Sequence, residues 1–213
     1  MKRGVLVLLA IAGLATAAAA AFTSGLAHRD TPRPARLSEA PSQWSDKDRT
    51  FIGEAQLLQA RAQGDLDRDV KSILNVNKRM EYGDFVWNDR NVPKGPVWVR
   101  VDLDRQLISV FRDGHEIGTA VILYGADEKE TPAGVFPVLA KIKDHESSLY
   151  DAKMPYTLRL TGDGVSIHAS DVRWGRATHG CIGVPPAFAA KLFDQVSKGD
   201  QVVILSDQAE RRS

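Results

Sequence analysis

The residues whose types and spacing can do chemistry are gathered in Thr178-His179-Gly180-Cys181 and, upstream, in Ser166-Ile167-His168-Ala169. Cys181 is the only cysteine in the chain, so it has no partner for an intramolecular disulfide. A thiol attacks an acyl carbon usefully only as the thiolate, and at an ordinary pKa of about 8.5 it is mostly protonated at neutral pH. It needs a base within hydrogen-bond reach. Two histidines are available, His168 at the end of a strand-like run and His179 two residues before the sulfur. A strand holds an imidazole more firmly than a loop, so His168 is the better base, and His179 is left to orient the loop or a substrate carboxylate. Gly180 lets the backbone approach closely, and the amides near Gly180 and Cys181 are candidates to cradle the oxyanion of a tetrahedral intermediate. No Ser, Asp or Glu follows His168 directly, so the group that orients its ring must be a backbone carbonyl or a residue elsewhere. Two plainer readings compete: an inert buried thiol, and a zinc site of His168, His179 and Cys181. The zinc reading lacks a clear fourth ligand and a nearby glutamate base.

The elements that must position these groups are mostly strands. Period-two runs at 97–102 and 106–111, an Asp113-Gly114 turn and a further run at 117–123 predict a β-meander. Extended runs at 135–139, 156–160, 165–168 and 201–205 bring the number of strands to at least seven. One helix is expected after the cysteine, over 186–196, with proline in its first turn and Phe188, Lys191, Leu192 and Val196 at helical spacing. Residues 83–206 therefore read as one compact, mainly β domain with a short helix. Upstream, 46–82 read as a helical extension of two helices, the second with Leu66, Val70, Ile73, Leu74 and Asn77 on one face. Residues 207–213 are left as a C-terminal tail.

Residues 1–22 combine Lys2-Arg3, an apolar run and an alanine-rich end, the pattern of a secretory signal peptide or an uncleaved N-terminal anchor. No cysteine follows that run, which excludes a lipid-modified lipoprotein end. The proline-bearing stretch 23–45 reads as a flexible linker. The 28 Lys and Arg against 27 Asp and Glu give no electrostatic reason to expect nucleic acid as a partner. His115, just after the turn, is expected in solvent, and His145 at the rim of the cleft. Trp87, Trp98 and Phe136 are expected in the core. Trp174 lies between base and nucleophile, placed to cover the site or stack on substrate, and Tyr150 and Tyr156 are further candidates for the cleft.

At these residues the sequence resembles the L,D-transpeptidase catalytic domain, a cysteine-dependent cell-wall enzyme family with a histidine followed by Ser/Thr-His-Gly-Cys. The segments from Leu107 to Gly114, Glu130 to Phe136, Met154-Pro155-Tyr156 and Thr161 to His168 resemble family segments in family order. The resemblance implies a compact β-sandwich-like catalytic domain with Cys181 as nucleophile and His168 as base. Thr178, His179 and Gly180 match the rest of the motif, and the backbone carbonyl of Ala169 matches the group that orients the base. It implies acyl transfer on peptidoglycan stem peptides through a thioester, with D-alanine released and an amine of another stem, or a wall-anchored protein, as acceptor. It implies no metal or cofactor, and a place in the periplasm or cell envelope. With water as acceptor the same site would be a carboxypeptidase or a cross-link hydrolase, and without catalysis the fold would be a wall-binding protein. Members commonly carry Arg or Asn two residues after the cysteine, where this chain has Gly183. The connection between His168 and Thr178 is short, nine residues, and its Arg173 and Arg176 are candidates for the missing positive charge.

Overall fold

Residues 47–62, 68–125, 129–147 and 152–206 are described by the structure, a computed structural model. The expected signal, linker and tail, and Tyr150, lie outside the described residues.

Valine, isoleucine and aromatic residues at period two make the sheets, as their stiff side chains favour a pleated, half-buried surface. Strands β4 (Val97–Asp102), β5 (Leu107–Arg112) and β6 (His115–Val121) form the antiparallel meander. The chain's last strand, β14 (Gln201–Leu205), returns parallel to β4, and β7 (Gly134–Pro137) closes that edge. A second sheet runs in the order β13 (Ile182–Val184), β12 (Ser166–Ala169), β11 (Thr157–Arg159), β8 (Ala140–Ile142). A small hairpin, β9 (Glu146–Ser147) with β10 (Ala152–Lys153), stands apart from both.

One core joins the two sheets to the helix α2 (Pro186–Gln195). Val99, Val101, Ile108, Val110, Val202 and Ile204 of the larger sheet and Leu158, Ile167, Ile182 and Val184 of the smaller one are all buried in it. Phe188 of α2 is fully buried, with the rings of Phe85 and Trp87 edge-on at 6.0 and 5.5 Å. These two belong to β3 (Phe85–Trp87), which pairs with β6. The ring of Trp87 lies over Gly118, where an added Cβ would come within 2.3 Å of it. Trp98 faces the other side of the sheet, stacked on Phe111 at 4.3 Å, and Phe136 packs partly buried against the main core.

The N-terminal segment departs from the two-helix expectation. Among the described residues of this segment one helix forms, α1 (Glu54–Ala62), and it buries none of its residues. It is preceded by β1 (Arg49–Phe51), and the second expected helix is replaced by β2 (Ser72–Leu74) and irregular chain. β2 pairs antiparallel with β1 and touches β6 through Ser72 and His115. The apolar residues Val70, Ile73 and Leu74 suit a helical face or a short strand equally, and the unpaired edge of β6 decides the matter. Ile52, Val70 and Ile73 then cap Trp98, Phe111 and Val203 on the outer face of the sheet. The segment is an integral edge of the main sheet rather than a separate helical extension.

That pairing also overturns the exposed placement of His115, which is buried under β2. Its Nδ1 lies 2.9 Å from Ser72 Oγ, and the Phe51 ring stands edge-on to the imidazole. The buried guanidinium of Arg49 donates to Ser72 Oγ at 3.3 Å and to the carbonyls of Glu116 and Asn88. Glu116 Oε2 accepts the Leu74 amide at 2.8 Å. Burial pushes the Glu116 carboxyl up and the Arg49 guanidinium down. Burial, with Lys71 and Arg49 nearby, lowers His115 to about 4. A histidine depressed in the folded state is neutral there while the unfolded chain already binds its proton, so stability is fully present above pH 6.5 and drains away as the pH falls towards 4. Denaturant titrations across that window should show a loss on the order of 2 kcal/mol, with a His115→Gln variant giving a flatter profile. An unchanged slope in the variant would assign the pH dependence to other groups.

Candidate active site

Strands β12 and β13 run parallel, with Ile167 opposite Ile182 and His168 opposite Gly183. Ile167, Ala169, Ile182 and Val184 all point into the core. Alternation therefore sends Ser166 and His168 of β12 to the opposite face, and the same face receives Cys181 and Gly183. His168 and Cys181 stand on one surface, two residues out of register.

His168 is buried, and its Nδ1 lies 2.8 Å from the Ala169 carbonyl oxygen. A carbonyl only accepts, so Nδ1 carries the hydrogen and Nε2 is left as the acceptor. Desolvation lowers the pKa of this imidazole, the Ala169 carbonyl works against that, and His145 adds to the lowering. Cys181 is half-buried, and its thiol donates to the Gly164 carbonyl oxygen at 3.7 Å. Burial pushes its pKa up, against the pull of the Ser166 amide and the nearby Lys129. The resting pair is therefore neutral thiol and neutral imidazole.

Three glycines fix the nucleophile's backbone. Gly180 has φ +94°, a conformation that side chains rarely adopt. Gly125 packs against it so closely that an added Cβ would lie 2.8 Å from the Gly180 Cα and 2.1 Å from the Lys129 carbonyl oxygen. The Gly125 amide is held by Thr131 Oγ1 at 2.9 Å, and the Thr178 amide by the Tyr124 carbonyl at 3.0 Å. Thr178 Oγ1 donates to the carbonyl of Cys181, tying the turn to itself. Gly183 is bound on both sides, to Leu123 in an antiparallel bridge and to His168 in the parallel ladder. A Cβ there would meet Ser170 Cβ at 2.8 Å, so the Arg or Asn expected at this position would require Ser170 to shift.

Cys181 opens into a cleft of about 300 Å³ with His179 on its wall. His145 lines it as expected, together with Met154, Thr157 and Ser166. Its cations are Lys129 and Arg159, and Asp163 is the carboxylate on its rim. The loop candidates lie elsewhere. Arg173 is exposed and paired with Asp171 at 2.7 Å, Arg176 is exposed, and neither lines the cleft. Trp174 stands against Tyr82 at 5.6 Å, away from the sulfur. Tyr156 packs on Phe193 at 5.7 Å and is no part of the cleft wall. Sequence reading missed Lys129 and Arg159. The first directly precedes the Glu130-to-Phe136 segment, and the second is the exposed residue of β11. Among the described residues no group of three or more His, Cys, Asp or Glu side chains is arranged to hold a metal ion.

The family model of the YkuD L,D-transpeptidase catalytic domain matches residues 96–204. The chain belongs to this family. L,D-transpeptidase 1 of Mycobacterium tuberculosis is 27% identical over 114 residues, 46% of this chain and 45% of the relative. Among solved structures, the L,D-transpeptidase of Stackebrandtia nassauensis is 26% identical, covering 54% of this chain and 57% of that one, with TM-score 0.48. A mutant L,D-transpeptidase of Enterococcus faecium is 30% identical, covering 53% and 50%, also with TM-score 0.48. The chain spans about half the length of the curated relatives it matches.

Two titrations follow from the neutral resting pair. The His168 imidazole should titrate below 6.5 in an NMR pH series, and the ultraviolet absorbance of the Cys181 thiolate should develop only above pH 9.0. Thiolate absorbance at neutral pH, lost in a His168→Gln variant, would instead establish a resting ion pair.

Proposed function

We propose that this chain is a peptidoglycan L,D-transpeptidase that works through a Cys181 thioester on stem tetrapeptides. The observation that supports it most is the β12–β13 pairing, which sets Cys181 and His168 on one face with the imidazole's Nδ1–H held by the Ala169 carbonyl. In this reading the thiol turns from the Gly164 carbonyl to Nε2 of His168, which takes its proton as Sγ attacks the donor carbonyl. The amides of Gly180 and Cys181 precede the first residue of β13 and stay out of its ladder, which leaves them for the oxyanion. As the tetrahedral intermediate collapses, the carbon–nitrogen bond to D-alanine breaks and His168 returns the proton to the leaving amine. An acceptor amine then attacks the thioester, gives its proton to the imidazole and forms the new amide, and the thiol is restored. The resting neutral pair suits both steps: a neutral imidazole can accept, and the ion pair forms only when substrate is present.

Lys129 and Arg159 on the cleft wall favour a donor that carries carboxylates, as stem peptides do. Arg173 and Arg176, the earlier candidates, have no place in this reading. The acceptor is a second stem or a wall-anchored protein, and the expected N-terminal signal would deliver the chain to the periplasm or cell envelope.

Purified chain, with a Cys181→Ala control, should convert tetrapeptide-stem muropeptides into cross-linked dimers with loss of D-alanine, followed by mass spectrometry. Replacing His168 by Gln should lower the rate by roughly 100-fold or more, the usual scale of a lost general base. Tripeptide stems without dimers would make the chain a carboxypeptidase, and no Cys181-dependent product would leave a wall-binding protein. Carbapenem-type β-lactams, which present a strained acyl group, should add one equivalent to Cys181 in an intact-mass spectrum and none to the alanine control.

A further inference from the structure

A second cleft lies on the outer face of the larger sheet, beyond the cap of Ile52, Val70 and Ile73. Residues 74–82 stand off from β5 and β6 there and enclose about 590 Å³, within the usual range of ligand pockets of roughly 300–1,000 Å³. It shares no lining residue with the cleft of Cys181. Its floor is polar: Ser109, Thr119 and the buried carboxyl of Glu116. One wall is Tyr82, whose hydroxyl is spent on Gln106 Oε1 at 2.7 Å, so the ring is held in place. At the edge stands Trp174, 83% exposed and touching Tyr82 only edge to face.

An indole left that open at a cleft offers a flat apolar face to a ligand. Glu116 is already bonded by the Leu74 amide and the Ser109 side chain, but the hydroxyls of Ser109 and Thr119 keep lone pairs for a ligand, so polar groups match this floor better than a purely apolar surface does. Of the three cations that line the cleft two are already paired and the third is Arg79, so little charge is left for an anion. Lys78 is bound to Asp84 and Arg105 to Asp102, each at 2.8 Å, while a carboxyl lies in the floor. A pyranose ring meets these demands together: one face of C–H groups carrying partial positive charge for the π-cloud, and a rim of hydroxyl and amide groups for the floor.

We propose that this cleft binds a saccharide, specifically a chain of N-acetylated amino sugars, with one ring stacked on Trp174 and its polar rim on Ser109, Thr119 and Glu116. The choice of amino sugars rests on the cell-wall reading of the Cys181 site; saccharide binding itself does not. Trp174 sits in the connection that leads into Thr178–Cys181, so a stacked glycan would hold the approach to the nucleophile beside the strand that carries its stem peptides.

The test uses the full chain with Cys181→Ala, so that binding is read without turnover. It is titrated with the N-acetylglucosamine tetramer, with glycan strands stripped of their peptides, with maltotetraose and with inorganic phosphate, each followed by NMR. Saturable shifts of the Trp174 indole and the Tyr82 ring with the tetramer or the strands are expected. Affinity should fall at least tenfold in Trp174→Ala and recover largely in Trp174→Tyr. Tighter binding of strands than of tetramer would identify the wall polymer as the ligand, and equal binding would identify free oligosaccharide. Equal affinity for maltotetraose would overturn the amino-sugar assignment, and so would shifts caused by phosphate alone. Binding that persists in Trp174→Ala, or no shift at Trp174 in a chain whose spectrum shows it folded, would overturn the site. Should muropeptide turnover fail while the tetramer still binds, the catalytic reading falls and this one stands.

Discussion

The parallel pairing of β12 with β13 is the constraint on which the rest of the site depends. A parallel pair cannot be closed by a tight turn and needs a crossover of about a dozen residues or more. Here residues 170–181 make it without a helix, at the lower end of that length. Such a connection has little freedom of its own, and it must deliver Cys181 beside a strand whose inward face is already committed to the core. The return is pinned at both ends. Ser170 donates its amide to the Val184 carbonyl at 2.8 Å, and the Thr178 amide is taken by Tyr124. What lies between, including Trp174, is pushed outwards.

Burial sets the electrostatics of the pair. An imidazole whose charged form is disfavoured and a thiol whose anion is disfavoured rest as neutral partners, and neither reacts readily with stray electrophiles. In the proposed mechanism that restraint has a use: the thiolate would form only when a proton acceptor and an acyl carbon are both in place. Lys129 favours the anion but does not outweigh burial, and its stem packs against Gly180, with Lys129 Cγ 3.4 Å from where a Cβ would be.

Much of this was legible in the sequence where local and tertiary forces agree. The meander, the post-cysteine helix and the histidine strand carry strong periodicity, and the core accepted them with shifts of one or two residues. The segment before them failed the same test. Val70, Ile73 and Leu74 fit two periods, and only the open edge of β6, a feature of three dimensions, selects the strand. His115 directly follows a turn, which locally means solvent, yet β2 covers it. Lys129 and Arg159 reach the cleft from separate elements, so no spacing along the chain could associate them. Trp174, expected at the cleft of Cys181, lines the other cleft instead, since one side of a crossover cannot be told from the other by residue type.

Gly183 shows how absence can be a structural requirement. Its position is flanked by His168 on one strand and Leu123 on the other, with Ser170 across it, and the cationic or amide side chain the family pattern led us to look for would require Ser170 to shift. An arginine there would have to displace Ser170, whose amide anchors the start of the crossover, and with it the alignment of base and nucleophile. In the proposed function charge recognition would therefore come from outside the motif, where Lys129 and Arg159 line the cleft wall with Asp163 opposing them. Selectivity in this chain is then a matter of the rim rather than of the motif. The paired strands β12 and β13 commit Ile167, Ala169, Ile182 and Val184 to the core, whereas Lys129 and Arg159 are exposed and come from outside that pair.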